Sequence, residues 1–226
     1  MKAHARIAIL AAIAVLSVGA RQLNWNNTVA LTPEGGHLIG NPDAKVKLIE
    51  FVSYTCPHCA HFEQEGQGAI QVAWITPGLI SVEVRHLIRD PVDLTAAVLA
   101  NCGPKENFPL NHSTILRSQA DWLPNYQLSS KASTLRWRTG TMPERLRAIA
   151  EDMDFYELME TRGYDRMELN RCLSDATTPE RLARQSKEGA DAYGVQGTPS
   201  FVLNGKYLAD VHDWASLRPL IAEKLD

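Results

Sequence analysis

A buried strand that runs directly into a Cys-Pro-His-Cys sequence constrains this chain more than any other feature. Residues 46–54 place apolar side chains on both faces of an extended chain, the pattern of a strand covered by helices on each side of a parallel sheet. Pro57 suits the first position of a helix capped by Cys56. An alternating second strand follows at 81–87. Strand, helix and parallel strand within about 45 residues form a right-handed βαβ unit, so the sequence predicts an α/β fold.

The chain from Asp90 to Tyr193 has a different character, with helical periodicities and no strand pattern. These roughly one hundred residues predict an all-helical insertion, because no run in them alternates with the period of a strand. Its helical patterns begin near Asp90, Phe108, Pro143, Asp165 and Thr178.

Strand signals return after the insertion. Two short apolar runs flank Asn204-Gly205, the dipeptide favoured in type I′ hairpin turns. A last helix begins near Asp213 and contains Pro219, which is unfavourable inside a helix. One α/β domain is therefore interrupted by the insertion, and the predicted boundaries are 21–89 for its first part, 90–193 for the insertion and 194–226 for its second part.

The first twenty residues have the pattern of a secretory signal peptide. Lys2 and Arg6 precede an apolar run at 7–18, and Val18-Gly19-Ala20 suits a signal peptidase. We predict export to the periplasm, with an uncleaved membrane anchor as the alternative. Removing residues 1–20 takes two positive charges from a formal charge of −3, which leaves −5. This acidic balance gives no support to a nucleic-acid partner.

The pair Cys56–Cys59 has four possible roles. A c-type haem needs histidine directly after the second cysteine, where this chain has Ala60. The two cysteines and a neighbouring histidine, His58 or His61, supply at most three zinc ligands, and no second pair completes a closed site. A disulfide across so short a loop is a weak structural staple, because the entropic gain grows with loop length. A redox-active pair is the favoured interpretation, and we expect neither a metal nor a cofactor.

The position of Cys56 at a helix start favours its thiolate. Free backbone N–H groups and the positive end of the helix dipole both stabilise negative charge there. The dipole supplies at most about 2 kcal/mol, or roughly 1.5 pKa units, so hydrogen bonds to the sulfur must add to it. His58 is the side chain placed to contribute as a donor or positive partner. Cys59 is then the resolving thiol.

Residues 51–59, FVSYTCPHC, resemble the active-site segment of the DsbA family of periplasmic thiol oxidases. The resemblance extends from Leu38 to the C-terminus and implies a thioredoxin-like fold, with a central mixed sheet flanked by helices and an all-helical insertion. Pro57-His58 is the dipeptide typical of the oxidising members. The resemblance also implies that reduced exported proteins are the substrates and that a quinone-linked membrane thiol oxidase reoxidises the pair. We expect a monomer.

Further site residues follow from the same resemblance. Thr198-Pro199 is similar to the family's cis-proline loop, whose backbone pairs with the substrate peptide. Glu50 corresponds to a buried acid that relays the proton of the resolving cysteine, and an ion pair with Lys47 is the alternative. Threonine before the proline also occurs in disulfide isomerases of the wider family. An isomerase or reductase therefore stays open as an alternative, as does a non-enzymatic, metal-handling module of thioredoxin shape.

Cys102 and Cys172 remain outside the redox pair. They are either two buried free thiols or a structural disulfide between two insertion helices, which some relatives of the family have. The bridge is favoured, because an exported chain with an even cysteine count rarely leaves two thiols free.

Overall fold

A computed structural model describes residues 24–225 of the chain. The predicted signal peptide, residues 1–20, lies outside these described residues. The described part is built on one six-stranded sheet with the strand order β1-β2-β4-β3-β5-β6. The strands are β1 (Val29–Leu31), β2 (His37–Gly40), β3 (Val46–Val52), β4 (Ile80–His86), β5 (Ser200–Leu203) and β6 (Lys206–Tyr207).

The sheet is mixed, and its one parallel pair is the predicted βαβ unit. Strand β3 pairs in parallel with β4 from Val46 opposite Ile80 to Val52 opposite His86. Every other pairing in the sheet is antiparallel. The two strands expected from the sequence at 46–54 and 81–87 are therefore confirmed.

Helices fill the connections and most of the chain between β4 and β5. They are α1 (Pro57–Phe62), α2 (Gly68–Ile70), α3 (Pro91–Ala100), α4 (Phe108–Arg117), α5 (Gln119–Gln127), α6 (Lys131–Arg136), α7 (Met142–Asp152), α8 (Phe155–Glu160), α9 (Arg166–Ser174), α10 (Thr177–Tyr193) and α11 (Trp214–Leu225). Between residues 87 and 199 there is no strand, as the periodicity predicted. None of the helices in the described residues is both long and apolar enough to cross a membrane.

Helices cover both faces of the central strands. On one face, Phe51 of β3 meets Tyr193 of α10 with ring centroids 6.0 Å apart. On the other face, Phe201 of β5 lies 4.8 Å from Phe62 of α1, and Trp214 of α11 packs against Phe62 in turn. This two-sided burial explains the continuous apolar run of β3 and confirms the predicted α/β class.

The helix after the cysteine pair is irregular, and it corrects one expectation from the sequence. At the period of an α-helix, Cys59, Phe62, Ile70, Ala73 and Trp74 form one apolar stripe, which predicts that Ala73 is buried. In the structure Ala73 is exposed and Ile75 is buried instead. The cause is a pair of π-helical turns, Glu63–Gln67 and Gln71–Ile75, on either side of α2. A π turn holds more residues than an α turn, so it rotates the following side chains away from the period of 3.6 residues.

Three other element boundaries can be compared with the sequence: the start of α9, the turn between β5 and β6, and the start of α11. The spacing of Asp165 and Glu168 in the sequence predicts a capping box, and the two residues form one at the start of α9. Asn204 and Gly205 both have positive φ angles, 49° and 81°, as a type I′ turn needs. The predicted hairpin is thus confirmed as β5 and β6. Helix α11 begins at Trp214 and continues through Pro219.

Candidate active site

The two cysteines lie where β3 ends and α1 begins. Cys56 is the N-cap residue of α1 in extended conformation, and Pro57 occupies the first helical turn, as predicted. Both cysteines are free thiols, with 3 % of Cys56 and 0 % of Cys59 exposed. Pro57 and His58 are exposed between them. The pair is therefore almost covered by protein, while the connecting dipeptide faces solvent.

The surroundings of Cys56 stabilise its thiolate. A hydrogen bond from the Cys59 thiol is the largest cause and, together with the Thr198 side chain and the backbone N–H groups of Cys59 and His58, lowers the pKa of Cys56 to about 5. Burial opposes this effect because it disfavours the charged form. His58 lowers the pKa of Cys56 through its backbone N–H, whereas its side chain is exposed to solvent. A thiol with so low a pKa is largely ionised at neutral pH.

Cys59 has the opposite character. Burial raises its pKa well above the usual value, and the hydrogen bond and charge of Cys56 raise it further. Glu50 also raises the pKa of Cys59, so its carboxyl group lies near enough to interact with this sulfur. The two thiols of one motif are thus separated into an acidic, nucleophilic one and a basic, protonated one.

Glu50 is buried in the sheet, with 3 % of it exposed. Burial raises its pKa to about 8, and the nearby charge of Glu63 adds to this effect. No ion pair joins Glu50 to a cation among the described residues, and Lys47 lies exposed on β3. The alternative pairing with Lys47 is therefore absent from the structure. A carboxyl group of this kind can exchange protons near neutral pH.

The proline loop closes the other side of the site. The peptide bond between Thr198 and Pro199 is cis. The Cys56 thiol donates to the Thr198 carbonyl oxygen at 3.2 Å, which brings residues 142 positions apart into contact. The buried Thr198 hydroxyl makes no hydrogen bond of good geometry within residues 24–225, but its nearness to the Cys56 sulfur helps to lower the pKa of that thiol. The structure thereby brings together Cys56, Cys59, Thr198 and Pro199, and places Glu50 behind them.

The insertion contributes two buried side chains that hold the loop before Cys56. Gln119 of α5 donates through Nε2 to the carbonyl oxygens of Tyr54 at 2.6 Å and of Cys56 at 3.0 Å. Asp93 of α3 accepts hydrogen bonds from the Tyr54 backbone N–H at 2.7 Å and from the Ser53 hydroxyl at 2.6 Å. The active-site backbone is consequently fixed by the insertion as well as by the sheet.

Three of these groups were not singled out by the sequence analysis: Gln119, Asp93 and Glu63. They lie far along the chain or on the π turns, and no motif links them to the cysteines. Asp93 had a faint signal, as a carboxylate in the first turn of a helix that already has Asp90 as its cap. Gln119 had none, because its role depends on where α5 packs.

The second pair of cysteines forms a disulfide. Cys102 and Cys172 are bonded, with Cα atoms 5.6 Å apart and positions that differ by 70 in the sequence. The Cys102 carbonyl oxygen accepts from the Tyr164 hydroxyl at 2.7 Å and from Asn111 Nδ2 at 3.2 Å. The bridge joins the segment after α3 to α9, so both of its cysteines belong to the insertion.

No cluster of three or more His, Cys, Asp or Glu side chains suited to a metal ion occurs in the described part of the chain. Three histidines, His37, His86 and His112, do lie close together, but around Phe108. Burial lowers the pKa of each of them. They are neutral rings that pack the contact between the sheet and α4.

Comparison with known proteins identifies the family. Residues 32–223 match the family model described as "Thioredoxin", which is most of the chain. This chain belongs to the thioredoxin family. A crystal structure titled as a protein-disulfide isomerase from Novosphingobium aromaticivorans shares 48 % of its residues with this family member, with a TM-score of 0.81 over 84 % of this chain and 97 % of that one.

One more distant solved structure and one more distant sequence relative resemble this thioredoxin-family protein. Wolbachia pipientis alpha-DsbA1 shares its fold at 19 % identity, with a TM-score of 0.67 over 86 % of this chain and 93 % of that chain. A Rickettsia bellii protein, provisionally named a protein-disulfide oxidoreductase, is 28 % identical over 76 % of this chain. The present chain spans 58 % of the length of that relative. The insertion between β4 and β5 thus gives this family member a DsbA-like form, which confirms the resemblance expected from the sequence.

Proposed function

We propose that this protein is a thiol-disulfide oxidoreductase that donates a Cys56–Cys59 disulfide to reduced exported proteins. The observation that carries the proposal is the unequal pair of thiols. The pKa of Cys56 is lowered to about 5 and that of Cys59 is raised, so the reduced pair is stable with one charged and one neutral sulfur. Stabilising the reduced form makes the disulfide a stronger oxidant.

The exchange begins on the oxidised pair. A substrate thiolate attacks the Cys56 sulfur, the bond between Cys56 and Cys59 breaks, and its electron pair passes to Cys59. The Cys59 sulfur then takes a proton, because its pKa lies well above neutrality. Glu50 is proposed as the source of that proton, since its pKa of about 8 is below that of Cys59.

The second step releases the oxidised substrate. A second substrate thiolate attacks the substrate sulfur of the mixed disulfide, and Cys56 leaves with the electron pair as a thiolate. The two electrons from the substrate thiols now reside on the Cys56–Cys59 dithiol. The backbone at Thr198-Pro199 is proposed to pair with the extended substrate, and the exposed His58 side chain to act on the charge of Cys56.

The cellular setting is part of the same proposal. Export to the periplasm follows from the signal pattern in residues 1–20. Reoxidation by a quinone-linked membrane thiol oxidase and a monomeric state follow from the resemblance to the oxidases.

A redox titration against glutathione tests the direction of transfer. The redox state of Cys56 and Cys59 is read by mass spectrometry after alkylation, and Cys102 is read separately. An oxidase should show a midpoint for the redox pair above about −180 mV. A strongly reducing midpoint would instead assign the protein to reductive chemistry.

Disulfide isomerisation is the second candidate function. Thr198 precedes the cis-proline, and the relative from Novosphingobium, 48 % identical, is titled a protein-disulfide isomerase. The two functions require different redox states of the Cys56–Cys59 pair. An isomerase in its reduced form should restore a protein with scrambled disulfides, whereas an oxidase should act on a reduced protein only when its own pair is oxidised.

A further inference from the structure

The segment between β6 and α11 carries a histidine that contacts the proline loop. The Nδ1 atom of His212 lies 2.8 Å from the carbonyl oxygen of Pro199. A carbonyl oxygen only accepts, so Nδ1 must carry the hydrogen. His212 is therefore in the Nδ1–H tautomer when neutral, and its Nε2 atom is left with a lone pair.

The segment that carries His212 is held by the fold. Asp213 caps α11 by accepting from the Ser216 backbone N–H at 2.8 Å, and Leu217 in that helix is fully buried. Leu208 donates to the Phe201 carbonyl at 2.9 Å, which ties the start of the same segment to β5. The imidazole ring thus projects from a segment anchored at both ends.

Two adjacent carbonyl groups of the proline loop have different hydrogen-bond partners. The Thr198 carbonyl contacts the Cys56 thiol, and the Pro199 carbonyl contacts His212. Pro199 has no N–H of its own, so this carbonyl is its only backbone group able to anchor the loop. A donor from the neighbouring segment therefore holds the loop at the residue next to the one that contacts Cys56.

We propose that His212 is a positioning residue for substrate binding, which orders the Thr198-Pro199 loop through its Nδ1–H before a substrate strand arrives. The inference rests on the proposed function for its kinetic readout. A loop that is already ordered binds an extended peptide with a smaller entropic cost. A small dithiol makes no strand pairing with the loop, so its reaction does not depend on this order.

Three substitutions in the full chain separate the hydrogen bond from other roles of the ring. In His212→Asn the amide nitrogen is bonded to Cγ, as Nδ1 is in histidine, so it can donate from the same position. In His212→Gln the amide nitrogen lies one bond further out, and His212→Ala has no donor. All three are assayed in single turnovers of the oxidised form, with a reduced dithiol peptide or dithiothreitol in excess. The half-saturating concentration is taken as KM and the limiting rate as kcat.

The Gln and Ala variants should raise the KM for the peptide roughly three- to tenfold, the value of one hydrogen bond, with kcat little changed. The Asn variant should stay within about twofold of the natural protein. Reaction with dithiothreitol should be unchanged in all three. The proposal is overturned if Ala leaves the KM unaltered, if Asn is as impaired as Ala, or if dithiothreitol reacts equally slowly.

Two further readouts complete the test. The pH profile of kcat/KM should be the same for the natural protein and His212→Asn. A step present only in the natural protein would instead assign base chemistry to Nε2 or to the ring together with its neighbour Asp213. Nitrogen-15 NMR of the imidazole at pH 8 should show the Nδ1–H tautomer, and the Nε2–H tautomer would refute the proposal. This measurement does not depend on enzyme activity. It therefore tests the hydrogen bond from His212 Nδ1 to the Pro199 carbonyl even if the protein oxidises neither the peptide nor dithiothreitol.

Discussion

At the scale of single residues, the site works by giving identical side chains unequal surroundings. Cys56 receives hydrogen bonds at a helix start, while Cys59, three positions later, is enclosed by apolar groups and lies near Glu50. The dipole of a helix start was too weak on its own to explain an acidic thiol, and the structure supplies the missing donors. They are mainly the Cys59 thiol and Thr198 rather than the His58 side chain.

Replacing Cys59 tests the largest of these donors. In Cys59→Ala the donor is lost, and the pKa of Cys56 should rise to roughly 6–7, the effect of one charge-assisted hydrogen bond. In the control Cys59→Ser a hydroxyl donor remains, and the pKa should stay nearer to 5. The thiolate absorbance of the reduced protein at ultraviolet wavelengths measures both. An equal pKa in the two variants would contradict the assignment.

Glu50 should make stability depend on pH in a defined direction. Its pKa is raised from 4.5 to about 8 by folding, so the folded state favours the protonated acid. The stability it contributes is complete below pH 4.5 and is lost as pH rises through 8. Glu50→Gln should therefore become more stable than the natural protein between these values, by a few kcal/mol at pH 8.

Urea unfolding at several pH values between 4.5 and 8 measures this difference. Glu160→Gln, an exposed carboxylate at the end of α8 with no ion pair among the described residues, is the control and should show no such growth. A constant difference for Glu50→Gln across the whole range would show that the acid is not buried as a neutral group.

At the scale of elements, the active-site loop depends on the insertion. Helices α3 and α5 present Asp93 and Gln119 to the backbone of Tyr54 and Cys56, and Asp93 also accepts from the Ser53 hydroxyl. The loop cannot form these bonds with its own strand, because β3 is paired on both edges and ends at Val52. The insertion is thus part of the site and not an appendage.

The substitution Gln119→Leu tests that dependence. It removes both donors and leaves two buried carbonyl groups without this partner, so the free energy of unfolding should fall by about 1–3 kcal/mol. Gln127→Leu, an exposed position at the other end of α5, should change it by less than about 0.5 kcal/mol. Urea denaturation measures the free energy of unfolding of both variants. If the two values are equal, the Gln119 hydrogen bonds do not stabilise the active-site loop.

At the scale of the whole molecule, two links hold the insertion together and to the sheet. The three neutral histidines around Phe108 pack α4 against β2 and β4. The bond between Cys102 and Cys172 connects the insertion's first and later helices across 70 residues. Such a long loop is where a crosslink restricts the unfolded chain most.

Removing the bridge should therefore cost stability without altering the redox pair. The double variant Cys102→Ala with Cys172→Ala should lose about 2–4 kcal/mol in the free energy of unfolding. The double variant Cys56→Ser with Cys59→Ser keeps the bridge and serves as the control. An unchanged unfolding midpoint in the first variant would mean that the disulfide does not stabilise the fold.

Much of the fold was predictable, because its signals are local. The parallel pair β3 and β4, the capping box at Asp165 and the turn at Asn204-Gly205 each follow from residues that are neighbours in sequence. Strands β1 and β2 were missed, since three or four residues carry too little periodicity to be recognised. The exposed position of Ala73 was missed because π turns leave no periodic signature.

The sequence by itself supplied the groups proposed for the site: two cysteines at a strand-to-helix junction, a proline loop after Gly197 and an acid six residues before Cys56. Only the tertiary structure decided which groups surround the sulfur atoms. Thr198, Gln119 and Asp93 reach the site from distant segments, and His212 reaches the proline loop. The physical reason is that helix caps and turns are set by local geometry, whereas desolvation and hydrogen bonding depend on which chain segments fold against one another.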